Sequence, residues 1–219
     1  MVKLIACLKR KPGVSVEQSQ RHWRTQHAEI VVRQEGLRRY VQNHVAPESY
    51  AMGEPAFDGV AEAWFDDVDA MRRLAPSAEY RAVRDDEPHF LDVPAMKVVL
   101  ADEFVAKDGP ESAGALKLIS FLTRKPGLTP EAFQQHWREV HAPLVAAPPA
   151  VRRYVQSHAR LGGYAGGRAP AYDGVALLWF DDEAGLRAPN ARARADGDAF
   201  MAPGPPPFVL TRPHVVLGA

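Results

Sequence analysis

Short apolar runs in the first half of the chain alternate with longer segments whose apolar residues recur every three or four positions. The short runs predict four strands, over residues 3–9, 37–45, 57–65 and 96–105. The longer segments predict a helix that ends near Gln34 and a second helical region that Pro76 breaks into two pieces. The resulting order, βαββαβ, predicts an α+β, ferredoxin-like unit with its helices on one face of the sheet.

The first predicted helix has a clear apolar stripe. Trp23, His27, Ile30 and Val31 follow the i, i+4, i+7, i+8 spacing of one face of an amphipathic helix. His27 is therefore expected in the middle of the face that packs on the sheet. At roughly 100° per residue, His22 lies about 140° around the helix from His27, so these two histidines are expected not to bind one metal ion together.

The same pattern of positions occurs twice in the chain. Residues 11–44 align without a gap on residues 125–158, and half of the aligned positions are identical. A second block, residues 57–67, aligns on residues 172–182. The identical pairs include His22/His136, Trp23/Trp137, His27/His141, Tyr40/Tyr154, Gln42/Gln156 and His44/His158. A period this long is not that of a solenoid, so it indicates a tandem duplication of a small domain.

The duplication predicts two domains, residues 1–105 and 115–219, joined by a polar linker over residues 106–114. The second domain is degenerate toward its C-terminus, where the proline-rich stretch 203–207 precedes the last predicted strand. Domains of this size bury a limited core alone, so the two copies are expected to pack against each other.

Composition excludes several classes of partner. Lys and Arg together number 27, as do Asp and Glu, so no net charge favours nucleic acid or an anionic membrane. The single cysteine, Cys7, cannot form an intrachain disulfide and is typical of a reducing compartment. No apolar run is long enough to cross a membrane. The sequence therefore predicts a cytoplasmic protein with no nucleic-acid and no membrane partner.

Four motifs carry a resemblance to a known family. KPG, HWR-x-x-HA, RRYVQNH and FDGVAEAWF occur in this order in the first half, and related versions follow in the second half. As a set they resemble the EthD-like family of the dimeric α/β-barrel superfamily, once per repeat and over nearly the whole chain. The resemblance implies two ferredoxin-like domains packed sheet-to-sheet as an intrachain α/β barrel, a pseudo-dimer whose further homodimerisation stays open. It also implies cofactor-independent chemistry on polyketides and other small ring compounds, such as cyclisation, dehydration, decarboxylation, isomerisation or oxygenation.

Six of the eight histidines and all four tryptophans fall in repeated pairs, which directs attention to these residues. The candidate catalytic residues are His27, Tyr40, His44 and Glu62. The candidate binding residues are Trp23, Gln42, Trp64, Trp137, His141, Tyr154 and His158. A sheet-facing histidine opposite a tyrosine can transfer protons at neutral pH, but a histidine on an apolar stripe is also typical of a hydrogen-bonded core residue.

The sequence leaves two questions about these candidates undecided: which way one strand face points, and whether Glu62 has a role. Tyr40, Gln42 and His44 share one face of a strand, which looks either toward the helix or into the barrel. Glu62 is replaced by Leu177 in the second copy, so a role for this carboxylate in orienting a histidine would make the first domain the active one.

The leading functional prediction is a cofactor-independent enzyme that moves protons on a hydrophobic aromatic or polyketide-like small molecule. Two alternatives remain: a non-catalytic small-molecule binder or structural pseudo-dimer with core histidines, and a cofactor-free or haem-using oxygenase. No spacing forms a metal motif, so no metal and no cofactor are predicted.

Overall fold

The computed structural model describes residues 1–51, 53–111, 115–188 and 190–218. The chain divides into two compact units. Unit 1 comprises Met1–Val98 together with the segment that begins at Pro213, and unit 2 comprises Val99–Arg212. Residues 112–114 of the predicted linker lie outside the described residues. The boundaries inferred from the duplication stay a prediction.

Unit 1 contains the βαββα part of the predicted order, and the next strand begins at its end. The elements are β1 (Val2–Leu8), α1 (Val16–His22), a π-helical turn (Trp23–His27), α2 (Ala28–Val31), β2 (Leu37–Val45), α3 (Pro47–Ala51), β3 (Gly59–Phe65), α4 (Val68–Leu74), α5 (Ala78–Phe90), a 3₁₀ turn (Val93–Ala95) and β4 (Lys97–Lys107). The break between α4 and α5 lies at Pro76, as the sequence predicts.

Unit 2 repeats this order with a shorter final helix. The elements are β5 (Leu116–Leu122), α6 (Pro130–His136), a π-helical turn (Trp137–His141), α7 (Ala142–Ala146), β6 (Arg153–Ala159), a 3₁₀ segment (Leu161–Gly167), β7 (Gly174–Phe180), α8 (Glu183–Arg187), α9 (Ala191–Phe200) and β8 (Phe208–Leu217). The glycine-rich 3₁₀ segment has a kink at Ala165 and Gly166, and its Tyr164 hydroxyl donates a hydrogen bond to Asp173.

The sheet of each unit is antiparallel. In unit 1, β3 lies between β1 and β2, with Leu4 opposite Ala63 and Tyr40 opposite the same residue from the other side. In unit 2, the strand order is β8, β5, β7, β6, with β4 pairing on the outer side of β6 from Ala101 onward. Since side chains alternate between the two faces of a strand, each sheet has one face toward its helices and one away from them.

The close approach of the first helix to the sheet depends on a glycine. Gly59 begins β3 directly under the Trp23 ring, and a Cβ atom at this position would overlap the ring. Gly174 has the same relation to Trp137 in unit 2. The repeated Asp-Gly pair therefore seats a tryptophan, because only glycine leaves room for the indole against the backbone.

Candidate functional site

Unit 1 contains a cavity of about 270 Å³ between the helical face of its sheet and the helices above it. Its floor is formed by small and aliphatic side chains of β1 and β3, among them Leu4, Ala6, Ala61 and Ala63. The polar or charged groups that line it are His27, Gln34, Tyr40, Tyr80, Arg84, Glu87 and the indole of Trp23. A small apolar cavity with a few polar groups is the usual form of a small-molecule site.

Two histidines and one aspartate form a hydrogen-bonded group at the edge of this cavity. His27 Nδ1 lies 2.8 Å from Asp86 Oδ2, and His22 Nε2 lies 2.9 Å from Asp86 Oδ1. The Phe90 ring packs on both imidazoles, with centroid separations of 4.7 Å to His22 and 5.0 Å to His27. Because the carboxylate accepts from Nδ1 of His27, the second ring nitrogen, Nε2, is the one left as a proton acceptor.

The expectation that His22 and His27 stay apart on the helix is wrong. It assumed 100° per residue, whereas residues Trp23–His27 form a π-helical turn. The i→i+5 bonding of a π turn gives more residues per turn, so positions five apart come close to alignment on one face. Both imidazoles therefore reach the same carboxylate on α5. The π turn recurs at Trp137–His141, where His136 and His141 both contact Asp196.

The pKa of His27 is lowered by burial, and the hydrogen bond and charge of Asp86 oppose that shift without cancelling it. Burial disfavours the charged imidazolium because it removes the ring from water. His27 is therefore neutral at pH 7. The same cause lowers the pKa of His141 in unit 2.

A second network shows that Tyr40, Gln42 and His44 face the helix. Trp23 Nε1 donates to the Tyr40 hydroxyl over 2.9 Å, and Gln42 Nε2 donates to the Trp23 carbonyl over 2.7 Å. His44 Nε2 bonds to Gln42 Oε1 at 3.0 Å, and the His44 ring lies 4.5 Å from the Trp23 ring. The question that the sequence left open is thus answered in favour of the helical side.

Tyr40 is placed to act as a hydrogen-bond donor. Its oxygen accepts bonds from Trp23 Nε1 and from Gln42 Nε2, the latter over 3.2 Å. These two bonds occupy both lone pairs, so its own proton is the group that remains for a ligand. Burial raises the pKa of Tyr40 to about 12, with the two hydrogen bonds acting in the opposite direction. The hydroxyl therefore stays protonated at neutral pH.

His44 lies behind this network and is not among the residues that line the cavity. Burial lowers its pKa to about 3, and the charges of Arg24 and His214 act in the same direction. A histidine that stays neutral and bonds to Gln42 holds the amide that in turn holds Tyr40. The structure thus places His44 as a support for Tyr40 and separates it from the cavity.

The structure does not bring Glu62 to the other candidates. Glu62 lies on the opposite face of the sheet, where its carboxylate contacts Lys3 Nζ at 2.6 Å and accepts from Asn43 Nδ2 over 2.8 Å. Trp64 is on that face too, with Lys3 Nζ 4.6 Å from its ring centroid. The alternation of β3 separates both residues from Ala61 and Ala63, which floor the cavity. The prediction that Glu62 orients His27 is therefore wrong.

Two acidic residues of α5 were missed by sequence reasoning. Asp86 is hydrogen-bonded to both histidines. Glu87 lines the cavity and is only 6% exposed. The pKa of Glu87 is raised by burial, against the lowering effect of its ion-pair partner Arg84. The signal was present, because aligning Phe90 with Phe200 pairs Asp86 with Asp196 and Glu87 with Gly197. The helices α8 and α9 are shorter than α4 and α5, and this difference in length hid the alignment.

Unit 2 repeats the hydrogen-bonded groups with a larger side chain beside them. Trp137 Nε1 donates to the Tyr154 hydroxyl over 2.8 Å, Gln156 donates to the same oxygen, and His158 bonds to Gln156. In place of Ala63 stands Leu178, which packs with Phe133, Trp137, Tyr154 and Phe200 in the core of the unit. The predicted binding residues Trp137, His141, Tyr154 and His158 are thus brought together beside the hydrophobic core that contains Leu178.

No group of three or more histidine, cysteine, aspartate or glutamate side chains is arranged to hold a metal ion among the residues that the structure describes. Cys7 is buried, and burial raises its thiol pKa. Neither the described histidines nor this thiol therefore forms a ligand set for a transition metal.

The comparisons with known proteins agree on family and fold. The EthD domain model matches residues 11–94 and again residues 125–204. The chain belongs to the EthD family. The two matches coincide with the duplicated blocks of the sequence, which confirms the tandem duplication of an EthD domain. No curated protein matches the chain.

Several solved structures have the same fold as this tandem EthD protein. An anthrone oxidase-like protein aligns with a TM-score of 0.64 at 13% identity, covering 100% of this chain and 95% of its own. A candidate monooxygenase from Lactobacillus acidophilus NCFM aligns with a TM-score of 0.58 at 11% identity, covering 98% and 94%. A chlorite dismutase variant from Candidatus Nitrospira defluvii aligns with a TM-score of 0.56 at 10% identity, covering 98% and 92%.

At these identities the structures establish the fold alone. They confirm the predicted class, the α+β fold of ferredoxin-like units found in dimeric α/β-barrel proteins. In the described ranges of the chain, every helix is too short or too polar to span a bilayer.

Proposed function

We propose that the cavity of unit 1 is the active site of a cofactor-independent enzyme that transfers protons on a compact hydrophobic ring compound. The observation that carries this proposal is that a neutral histidine and a tyrosine hydroxyl able to donate a hydrogen bond line the same apolar cavity. His27 and Tyr40 both line this space, and small side chains form its floor. Aromatic ketones and polyketide-like rings have the size and polarity that such a cavity favours.

His27 supplies the base in this proposal. Its Nδ1 is engaged by Asp86, so the lone pair of Nε2 accepts a proton from a carbon next to a ligand carbonyl. The electron pair of that C–H bond then forms the enolate. Asp86 keeps the imidazole in one tautomer and stabilises the positive charge that the ring gains.

Tyr40 supplies the complementary donor. As the enolate forms, negative charge develops on the ligand oxygen, and a hydroxyl held ready in a dry cavity stabilises that charge. Tyr40 is held by Trp23 and Gln42 before any ligand arrives. Transfer of the proton from the His27 imidazolium to another carbon would complete an isomerisation, and its transfer to a neighbouring hydroxyl, which leaves as water, would complete a dehydration.

A second candidate is supported by a specific observation in unit 2. His141 makes the same contact with Asp196, at 2.9 Å, beside the hydrophobic core that contains Leu178. Unit 2 keeps this histidine–aspartate pair although Leu178 replaces Ala63 and Gly197 replaces Glu87, which supports a structural role for the pair. On this alternative, unit 1 binds a small molecule without transforming it.

The cavity is poorly suited to the haem-using alternative. A volume of about 270 Å³ lies below the roughly 300–1,000 Å³ of pockets that enclose drug-sized ligands, and a haem is larger than those ligands. The residues present therefore do not fit this group. Cofactor-free oxygenation would use the same His27 and Tyr40 and begins with the same proton removal.

The test is proton exchange on a carbon acid of suitable size. The protein is incubated with 2-tetralone in D₂O, and loss of the α-proton signals is followed by NMR. His27→Gln is expected to lower the exchange rate of the parent protein by about a hundredfold, because a positioned base contributes roughly 10²–10⁴-fold.

The matched control is His141→Gln, which makes the same change at the equivalent site of unit 2. The proposal requires this variant to keep the exchange rate of the parent. Equal rates for the parent and His27→Gln, with 2-tetralone still bound, would support the binding alternative instead.

A further inference from the structure

Glu87 is a buried carboxylate that has no role in the proton transfer proposed for His27 and Tyr40. It lies on α5, lines the cavity of unit 1, and forms an ion pair with Arg84 one turn earlier on the same helix. The Glu87 side chain is 8% exposed, whereas that of Arg84 is 44% exposed. The carboxylate therefore belongs to the interior, and the guanidinium lies at the edge.

The charges around the cavity are unfavourable to an anionic ligand. Arg84 is the only Lys or Arg among the described lining residues, and its guanidinium is already engaged by Glu87. His27 is neutral at pH 7 because burial lowers its pKa. A ligand carboxylate would lose its hydration and meet a second carboxylate without a cation to offset either cost.

The same groups are favourable to a neutral ligand with a hydroxyl. An ionised carboxylate only accepts hydrogen bonds, and one with an ion-pair partner on one side still has acceptor capacity for a ligand O–H. Tyr40 is close enough to Glu87 for the charge of the carboxylate to raise the pKa of the phenol. One compact ring can therefore present an acceptor to Tyr40 and a donor to Glu87.

We propose that Glu87 makes the unit 1 cavity selective for neutral, hydroxyl-bearing ring compounds, by accepting a hydrogen bond from the hydroxyl and rejecting the corresponding carboxylates. The proposal deepens the proposed function, since it rests on that cavity being the ligand site. Unit 2 agrees with a specialised role, because Gly197 stands at the equivalent position and has no side chain to offer.

The test compares two ligands of matched shape, 2-naphthol and 2-naphthoate, by calorimetric titration at pH 7. The parent protein is expected to bind the naphthol at least tenfold more tightly than the naphthoate. Glu87→Gln is expected to weaken naphthol binding by about tenfold and to strengthen naphthoate binding, because it removes the repulsive charge and frees Arg84.

The matched control is Asp85→Asn, which removes one carboxylate from the neighbouring, exposed position of the same helix. It should leave both affinities at the parent values. If Glu87→Gln does not fold, Arg84→Met is used instead. Losing the partner cation should then increase the preference for naphthol over naphthoate.

The proposal is overturned if the parent does not bind 2-naphthol or does not prefer it, or if Glu87→Gln leaves the preference unchanged. These outcomes are independent of catalysis. Failure of proton exchange on 2-tetralone with the ligand preference intact would remove the enzyme proposal and leave Glu87 as the selectivity residue of a binder. Exchange that depends on His27, without a ligand preference that depends on Glu87, would support the enzyme proposal and remove the selectivity role of Glu87.

Discussion

In both units a pair of histidines five residues apart contacts one aspartate, and a tryptophan donates to the hydroxyl of a strand tyrosine. Around this common framework the two interiors differ. Unit 1 has Ala63 and Glu87 beside a cavity, whereas unit 2 has Leu178 in a packed core and Gly197. The shared groups are therefore part of the architecture of both domains, and Ala63 and Glu87 are what distinguish the proposed ligand site of unit 1.

The largest effect is expected from shortening a side chain in the hydrophobic core of unit 2. Leu178→Ala places there the residue that unit 1 uses, and should lower the free energy of unfolding by about 3 kcal/mol, within the usual range for buried leucines. Equilibrium urea unfolding measures the change. A loss below about 1 kcal/mol would mean that the core of unit 2 does not depend on this side chain.

The converse change should close the cavity of unit 1. Ala63→Leu adds a side chain to the cavity floor, and 2-tetralone exchange and 2-naphthol binding should each fall by about a hundredfold, or about 2.7 kcal/mol. Far-UV circular dichroism checks that the variant is folded. Full activity in Ala63→Leu would place the ligand site elsewhere.

A third change should affect both units alike. Gly59→Ala and Gly174→Ala each put a methyl group against a tryptophan ring and should destabilise the protein by about 2 kcal/mol, as overpacking usually does. Gly163→Ala is the control, since a Cβ there has no neighbour within 4 Å. Thermal unfolding of the three variants compares them. A large difference between Gly59→Ala and Gly174→Ala would show that the tryptophan seats are not equivalent.

The smallest effect is expected in the pH dependence of the free energy of unfolding. Burial lowers the pKa of His44 and of His158 to about 3, below the roughly 6.5 of a histidine in an unfolded chain. Between these values the unfolded chain binds protons that the folded protein does not, so stability is lost as the pH falls. Each histidine should contribute up to about 1.4 kcal/mol per pH unit to this loss, with the full slope reached only below the pKa of the unfolded chain.

Unfolding in urea at pH 7, 6 and 5 measures the pH dependence. His44→Gln and His158→Gln should each reduce the slope by the same amount. An unchanged slope in His44→Gln would show that this imidazole becomes charged without unfolding the domain.

Much of the architecture could be predicted from the sequence. Apolar periodicity predicted the strands and the break at Pro76, and the repeated motifs predicted two EthD domains. The placement of Tyr40, Gln42 and His44 on one face of β2 followed from strand alternation, although not the side on which that face lies. These features depend on local geometry and on burial, which a sequence pattern records directly.

The positions of the carboxylates could be decided only in three dimensions. Strand alternation places Glu62 on the face opposite His27, and the direction of each face is known only when helices and sheet are packed. The π turn brings His22 beside His27, since its extra residue changes which side chains align. Asp86 and Glu87 reach the site from a helix some sixty residues further along the chain. The sequence by itself determined the framework and its duplication, while tertiary packing decided which acids meet which histidines, because contacts between distant elements leave no periodic trace.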